Sequence, residues 1–182
     1  NKKIIEKINE YSKDCFKLVP FNNMNVHLIQ TENKSTLKKV LDKTLFVTQK
    51  RLKNCNITHL TEKRCNHNIN SLSDTIKQSI KEDAGVILVF GASAICDKND
   101  VVPRSLTNNQ GKIIRLGMPV EPGNLMLLGK INKTSKTIFF VGMPGCARSQ
   151  KENGVDWILW RIFCGLDVSN KDINQMGAGG LL

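Results

Sequence analysis

Apolar and polar positions alternate along this chain with two different periods, and the changes of period mark its elements. Ile4, Ile5, Ile8 and Tyr11 recur at helical spacing and predict an amphipathic helix over residues 2–14. Pro20 and Asn22-Asn23 break that pattern, and Val26–Ile29 reads as a short strand. Leu37, Val40, Leu41, Leu45, Thr48 and Leu52 form a helical stripe over Thr36–Lys53. Ile57–Thr61 reads as a second strand, and Ile69, Leu72, Ile76 and Ile80 as a helix for which Ser71 is a cap. Gly85–Phe90 is a continuous apolar run between turn residues, the pattern of a strand buried on both faces of a parallel sheet. A short helix over Val102–Asn109 carries Pro103 in its first turn. Lys112–Leu116 and Leu125–Ile131 read as strands around the loop Pro119–Asn124, and Ile138–Val141 as the next buried strand. Ser149-Gln150-Lys151-Glu152 has the spacing of a capping box, opening a helix that runs to about Cys164 and closes at Gly165.

Strands that alternate with helices predict an α/β fold, a three-layer α/β/α sandwich with a mostly parallel sheet. The Lys112–Ile131 segment breaks the alternation and predicts a small antiparallel excursion. A length of 182 residues suits one domain. We place it at residues 24–182, with residues 1–23 as an N-terminal connector helix. Asn1-Lys2-Lys3 opens without a methionine, which predicts a piece of a longer chain. No apolar run approaches the ~18 residues of a membrane span, and the charged start is not a signal peptide. With 40% hydrophobic and 24% charged residues, disorder is excluded as well. A cytoplasmic protein without a membrane partner is expected.

Composition leaves a formal net charge of +11 to explain. Residues 1–81 hold 16 lysines and arginines against 7 acidic residues, whereas residues 82–182 hold 11 against 9. The lysines of the first half are spread singly, mostly where a helix meets water. Aromatic residues make up only 5%, and no aromatic-basic strand of the kind that stacks bases is present, so no nucleic acid partner is expected. The charge reads as a solvated coat. The 6 cysteines show no paired metal spacing, and the 3 histidines are scattered, which argues against a zinc site.

Ligands of open α/β sheets bind beyond the carboxyl ends of the strands. Two predicted strands end there in loops of small residues, Gly91–Asp100 and Gly142–Arg148. Small residues let backbone amides approach a phosphate, and Arg148 and Ser149 add further donors. Neither loop has the Gly-Lys-Ser/Thr ending of a P-loop or matches G-x-G-x-x-G. Asp97 and Asp100 stand three residues apart and could hold Mg²⁺ as hard oxygen ligands. The competing reading makes Asp100 the cap of the helix that contains Pro103, and Asp97 a solvated loop residue. Cys96 and Cys146 read as small residues in tight turns rather than nucleophiles.

Three stretches in this order resemble the molybdopterin-binding domain of molybdopterin adenylyltransferases and molybdotransferases. They are Gly91-Ala92-Ser93-Ala94 followed by Asp100-Val101-x-Pro103, Gly117–Asn124 and Gly142–Ser149. The terminal run Gly177–Leu182 is similar to a bacterial subgroup in which this domain is fused to a molybdotransferase-like leader and a molybdenum cofactor nucleotidyltransferase. The resemblance implies an α/β/α sandwich that binds molybdopterin or the molybdenum cofactor, and a homo-oligomer, trimer or dimer. It also implies fused or partner cofactor-biosynthesis domains. By position, Gly91, Ala92, Ser93 and Ala94 match one ligand loop of the family. Pro122, Gly123 and Asn124 match a second loop, and Pro144, Gly145, Arg148 and Ser149 a third. Asp100 matches the family's catalytic or metal-binding carboxylate by motif, with Asp97 or Asn99 as alternative equivalents by spacing, and the catalytic and Mg²⁺ roles are assigned to Asp97 and Asp100.

Departures from the family pattern shape the expected function. Glu121 and Asn124 replace two lysines that would grip an anion, and Asn66-His67-Asn68 stands where the family carries an acidic residue. Phosphoryl chemistry depends on positioned metal and charge, so these changes weaken transfer more than binding. The sequence therefore predicts a module that binds molybdopterin or the molybdenum cofactor during its biosynthesis. The alternatives are an active adenylyl- or molybdotransferase, or a nucleotide hydrolase of the competence-damage type. Binding is expected to rest on backbone amides, Ser93, Arg148 and Ser149 more than on net charge.

Overall fold

The computed structural model describes residues 3–7, 18–134 and 136–177. Its elements run β1 (Val26–Glu32), α1 (Lys38–Lys53), β2 (Leu60–Asn66), α2 (Ile69–Lys81), β3 (Val86–Phe90) and α3 (Val101–Asn108). They continue with β4 (Lys112–Leu116), β5 (Leu127–Asn132), β6 (Thr137–Met143), a 3-10 turn (Gly145–Arg148), α4 (Gly154–Phe163) and α5 (Asn170–Met176). Of the helix expected over 2–14, residues 3–7 are helical and exposed. Its other positions, and all of the Gly177–Leu182 run after Gly177, lie outside the described residues. Among the described residues no helix is long and apolar enough to cross a membrane.

The strands form one sheet in the order β2-β1-β3-β6-β5-β4. The first four are parallel, and β5 and β4 reverse direction in turn, as the broken alternation of elements predicts. The apolar run of β3 lies at the centre, with all of its residues buried. Its side chains alternate between layers: Val86, Leu88 and Phe90 pack with α1, α4 and α5, and Ile87 and Val89 with α2 and α3. Each such side chain contributes about 1.5–3 kcal/mol of burial free energy. The result is the expected three-layer sandwich. Phe21 and Met24 pack on the first layer, and the Asn22 amide donates to the Phe163 carbonyl at 2.7 Å.

Three expected boundaries move, each for a local physical reason. The second strand is not Ile57–Thr61 but Leu60–Asn66, because pairing with β1 sets its register from Val26 opposite Leu60 to Glu32 opposite Asn66. Ile57 is buried ahead of it in the core. The cap of α2 is Asn68, whose Oδ1 accepts from the Ser71 amide at 2.9 Å. The helix expected from Ser149 starts at Gly154, because Asn153 and Asp156 form the capping box there. Glu152 instead accepts from Trp157 Nε1 at 2.9 Å. A second box, Ser169 with Asp172, opens α5, which the apolar pattern did not predict.

Candidate functional site

β1 pairs with β2 on one side and β3 on the other, so the chain reverses its travel across the sheet between β1 and β3. The carboxyl ends of strands at such a reversal leave a crevice. A cleft of about 430 Å³ occupies that position. Gly91, Ala92, Ser93 and Ala94 line it from the end of β3, and Gly145 and Arg148 from the turn after β6. Thr31 and residues of the β1–α1 loop close its far side.

Arg148 dominates the electrostatics. Its Nη1 donates to Thr44 Oγ1 at 2.6 Å, its Nη2 donates to the Gly91 carbonyl at 3.1 Å, and its guanidinium lies 4.7 Å from the centre of the Phe90 ring. Burial works against the charge and pushes its pKa down. Among the described residues no carboxylate pairs with it. A partly desolvated cation without a counter-charge is an attractive partner for an anion. The Ser93 and Ala94 amides, and those of Gly145 and Cys146, donate to no acceptor among the described residues. The Arg148 guanidinium and these four amides are all donors.

Gly91 makes the first loop turn back on itself, since a Cβ there would sit 2.7 Å from the Ser93 carbonyl oxygen. Thr31 and His67 hold that turn. The Ala92 amide donates to Thr31 Oγ1 at 2.8 Å, Thr31 Oγ1 lies 2.8 Å from His67 Nδ1, and His67 Nε2 lies 2.9 Å from Ser93 Oγ. Burial lowers the His67 pKa, with Asp100 pulling weakly the other way, so the ring is neutral at pH 7. His67 directly follows β2, and Thr31 lies within β1, two strands that meet only through the parallel register. In the sequence His67 stands out only as a departure, and Thr31 and Thr44 belong to no motif. A polar residue at the carboxyl end of a strand beside the reversal was the available signal.

Asp97 and Asp100 do not line this cleft. Asp100 Oδ2 accepts from the Cys96 and Asp97 amides at 2.8 and 2.9 Å, bonds that hold its pKa below the usual value. Asp97 Oδ1 accepts from the Asn99 amide at 2.7 Å. Asp100 occupies the N-cap position of α3 by its backbone angles, but its side chain makes no cap hydrogen bond to that helix. Among the described residues no three His, Cys, Asp or Glu side chains converge to hold a metal ion. Each of the two carboxylates commits one oxygen to its own turn, and both stand outside the cleft lining.

The remaining expected residues flank the cleft. Leu127 of β5 lies opposite Gly142 of β6, which brings the Gly117–Asn124 loop to the same edge of the sheet. There Pro122 and Gly123 dock on the start of α4 rather than on the cleft, while Asn124 is exposed and its carbonyl accepts from the Met118 amide at 2.9 Å. The Gly154 amide donates to the Pro122 carbonyl at 2.8 Å, and Gly123, with φ +133°, leaves no room for a Cβ against Asn153 and Gly154. Pro144 is buried and accepts from the Ala147 amide at 3.0 Å, closing the turn that presents Gly145. Ser149 lines an adjoining hollow of about 530 Å³ with Lys43 and Arg148. Lys39, Lys43 and Arg148 share a further hollow of about 540 Å³, so α1 brings two lysines of the basic half to the rim.

A larger groove of about 580 Å³ runs between α1 and α4 past Arg51 and Trp160. Its arginine is already satisfied. Arg51 forms a buried ion pair with Asp156 and donates to the carbonyls of Ala147, Ser149 and Lys151. That arrangement fixes the loop following β6 and occupies the Arg51 guanidinium.

No family model matches the chain, and no curated protein sequence matches it. Solved structures do. The crystal structure of the tungsten cofactor synthesizing protein MoaB from Pyrococcus furiosus aligns with a TM-score of 0.58 at 15% identity, covering 78% of this chain and 93% of that one. A protein from Corynebacterium diphtheriae, named for molybdenum cofactor biosynthesis, aligns with a TM-score of 0.48 at 14% identity over 81% of this chain and 99% of its own. The chain has the fold of MoaB.

Proposed function

We infer that the cleft at the β1–β3 reversal binds the phosphate end of a molybdopterin-type ligand, and that the chain serves molybdenum or tungsten cofactor biosynthesis as a binding module. The observation that carries this reading is Arg148, a half-buried guanidinium with no carboxylate partner among the described residues, facing unpartnered amides. The fold shared with a tungsten cofactor synthesizing protein supports the choice of ligand class. Binding is favoured over transfer because Asp97 and Asp100 do not line the cleft and each has an oxygen engaged by loop amides. In this reading Gly91–Ala94, Gly145 and Arg148 touch the phosphate, and Ser149 lies within reach of the rest of the ligand.

Mass spectrometry of the purified chain under native conditions tests this. A phosphorylated pterin is expected with the wild type and is expected to be lost from Arg148→Met. A wild-type chain that carries no pterin and takes up none when molybdopterin is supplied would end the proposal.

A further inference from the structure

The contacts around His67 have a direction. A threonine hydroxyl has one proton to give and two lone pairs to receive with. Thr31 Oγ1 receives the Ala92 amide at 2.8 Å, and its own proton has two acceptors in reach: His67 Nδ1 at 2.8 Å and the Phe90 carbonyl at 3.4 Å. The shorter contact takes it, since hydroxyl hydrogen bonds cluster near 2.7–2.8 Å and weaken beyond. His67 Nδ1 is then an acceptor, and the ring's own proton sits on Nε2. From there it donates to Ser93 Oγ at 2.9 Å. Ser93 receives that bond and keeps its hydroxyl proton, and Ser93 is an exposed member of the cleft wall.

We propose that His67 is a positioning residue which, through the chain Ala92 amide to Thr31 to His67 to Ser93, turns the Ser93 hydroxyl proton into the cleft as a donor to an anionic ligand. The opposite polarity, with Nδ1 protonated and Nε2 accepting, would draw the serine proton inward and prepare a nucleophile. The distances favour the donor. A carboxylate at position 67 would act like that opposite polarity and would add like charge beside the anion. The inference rests on the reading that this cleft takes a phosphate-bearing ligand.

Two measurements on the whole chain test it. In the ligand-free protein, long-range ¹H–¹⁵N spectra of the His67 ring report which nitrogen carries the proton. Nε2 is expected, and protonated Nδ1 overturns the proposal while leaving the anion cleft standing. In the second measurement inorganic phosphate is titrated while the Ser93 amide signal is followed. Wild type and His67→Gln, which keeps an N–H donor, are expected to bind within about threefold of each other. His67→Glu is expected to lose more than about tenfold, the scale of a charge-assisted hydrogen bond. Equal phosphate affinity in wild type and His67→Glu would overturn the proposal. Nε2 protonation with no phosphate response at Ser93 in the wild type would remove the anion cleft, and the proposal with it.

Discussion

Gly91 and Gly145 line the same cleft, yet a methyl group added at each would meet opposite surroundings. At Gly91 it would strike the Ser93 carbonyl oxygen, whereas at Gly145 it would find nothing within 4 Å. Gly91→Ala is therefore expected to displace the loop and lower both stability and phosphate binding, with a stability loss of about 1–3 kcal/mol. Gly145→Val is expected to leave the melting temperature within about 2 °C and still block the ligand. A calorimetric melt paired with a phosphate titration separates the two, and a Gly145→Val protein that binds normally would show that the 3-10 turn does not face the ligand. Two histidines set a pH dependence at the same scale. Burial lowers the pKa of His67 against the pull of Asp100, and that of His27 against the pull of Glu82, both from 6.5. Below 6.5 the unfolded chain then binds more protons than the folded one, so their contribution is full above that pH and is lost as pH falls toward the folded values. The urea midpoint is expected to drop on acidification through this window. It should drop less in the His27→Gln/His67→Gln protein, and identical slopes would count against the assignment.

Elements were legible where one signal sufficed. The run Val86–Phe90 has no polar face and so admits only a central strand, which β3 is. The edge strand β2 is not marked by pattern because Leu60–Asn66 is polar along most of its length, and only its partner β1 supplies the register. Polar edge strands are usual, since they discourage pairing with other chains. The start of α4 is ambiguous in sequence because Ser149 and Asn153 both open a box-like spacing, and the choice depends on Arg51, 105 residues before Asp156. That ion pair is nearly excluded from water, with side-chain exposures of 8% and 6%. Removing one partner leaves an uncompensated charge, a loss of about 3–5 kcal/mol. Asp156→Ala is therefore expected to lower stability by that amount, and by more than Arg51→Met/Asp156→Leu, which removes both charges. If the double variant is the less stable of the two, the pair itself, rather than the stranded charge, carries the energy. In the double variant, amide exchange in residues 147–151 is expected to quicken, because the carbonyls of Ala147, Ser149 and Lys151 lose the guanidinium.

Over the whole molecule, the layered architecture was readable from the alternation of periods, but the assembly of the site was only half readable. Small-residue loops after two strands announced Gly91–Ala94 and Gly145–Arg148, and the sheet order brings both to one cleft. Thr31, Thr44 and His67 carry no motif. Thr31 and His67 join the site because β1 lies between β2 and β3, and Thr44 because α1 meets the turn after β6, facts of topology that no local window of sequence contains. The same topology revises the meaning of the charge. Lys39 and Lys43, which read as part of a solvated coat, stand on α1 at the rim beside Arg148. Their consequence is kinetic. Cations at the entrance of a cleft draw an anion in before any contact forms, which raises the rate of capture without lengthening the stay. With pyrophosphate as probe, the association rate is expected to fall steeply as the Debye length shrinks from about 30 Å to about 3 Å with added salt. The Lys39→Gln/Lys43→Gln protein is expected to associate more slowly at low salt and to release its ligand at the wild-type rate. A capture rate indifferent to salt would return those lysines to the coat. A steered entrance suits a protein that must collect a scarce anionic ligand at low concentration, where the time spent empty is governed by arrival.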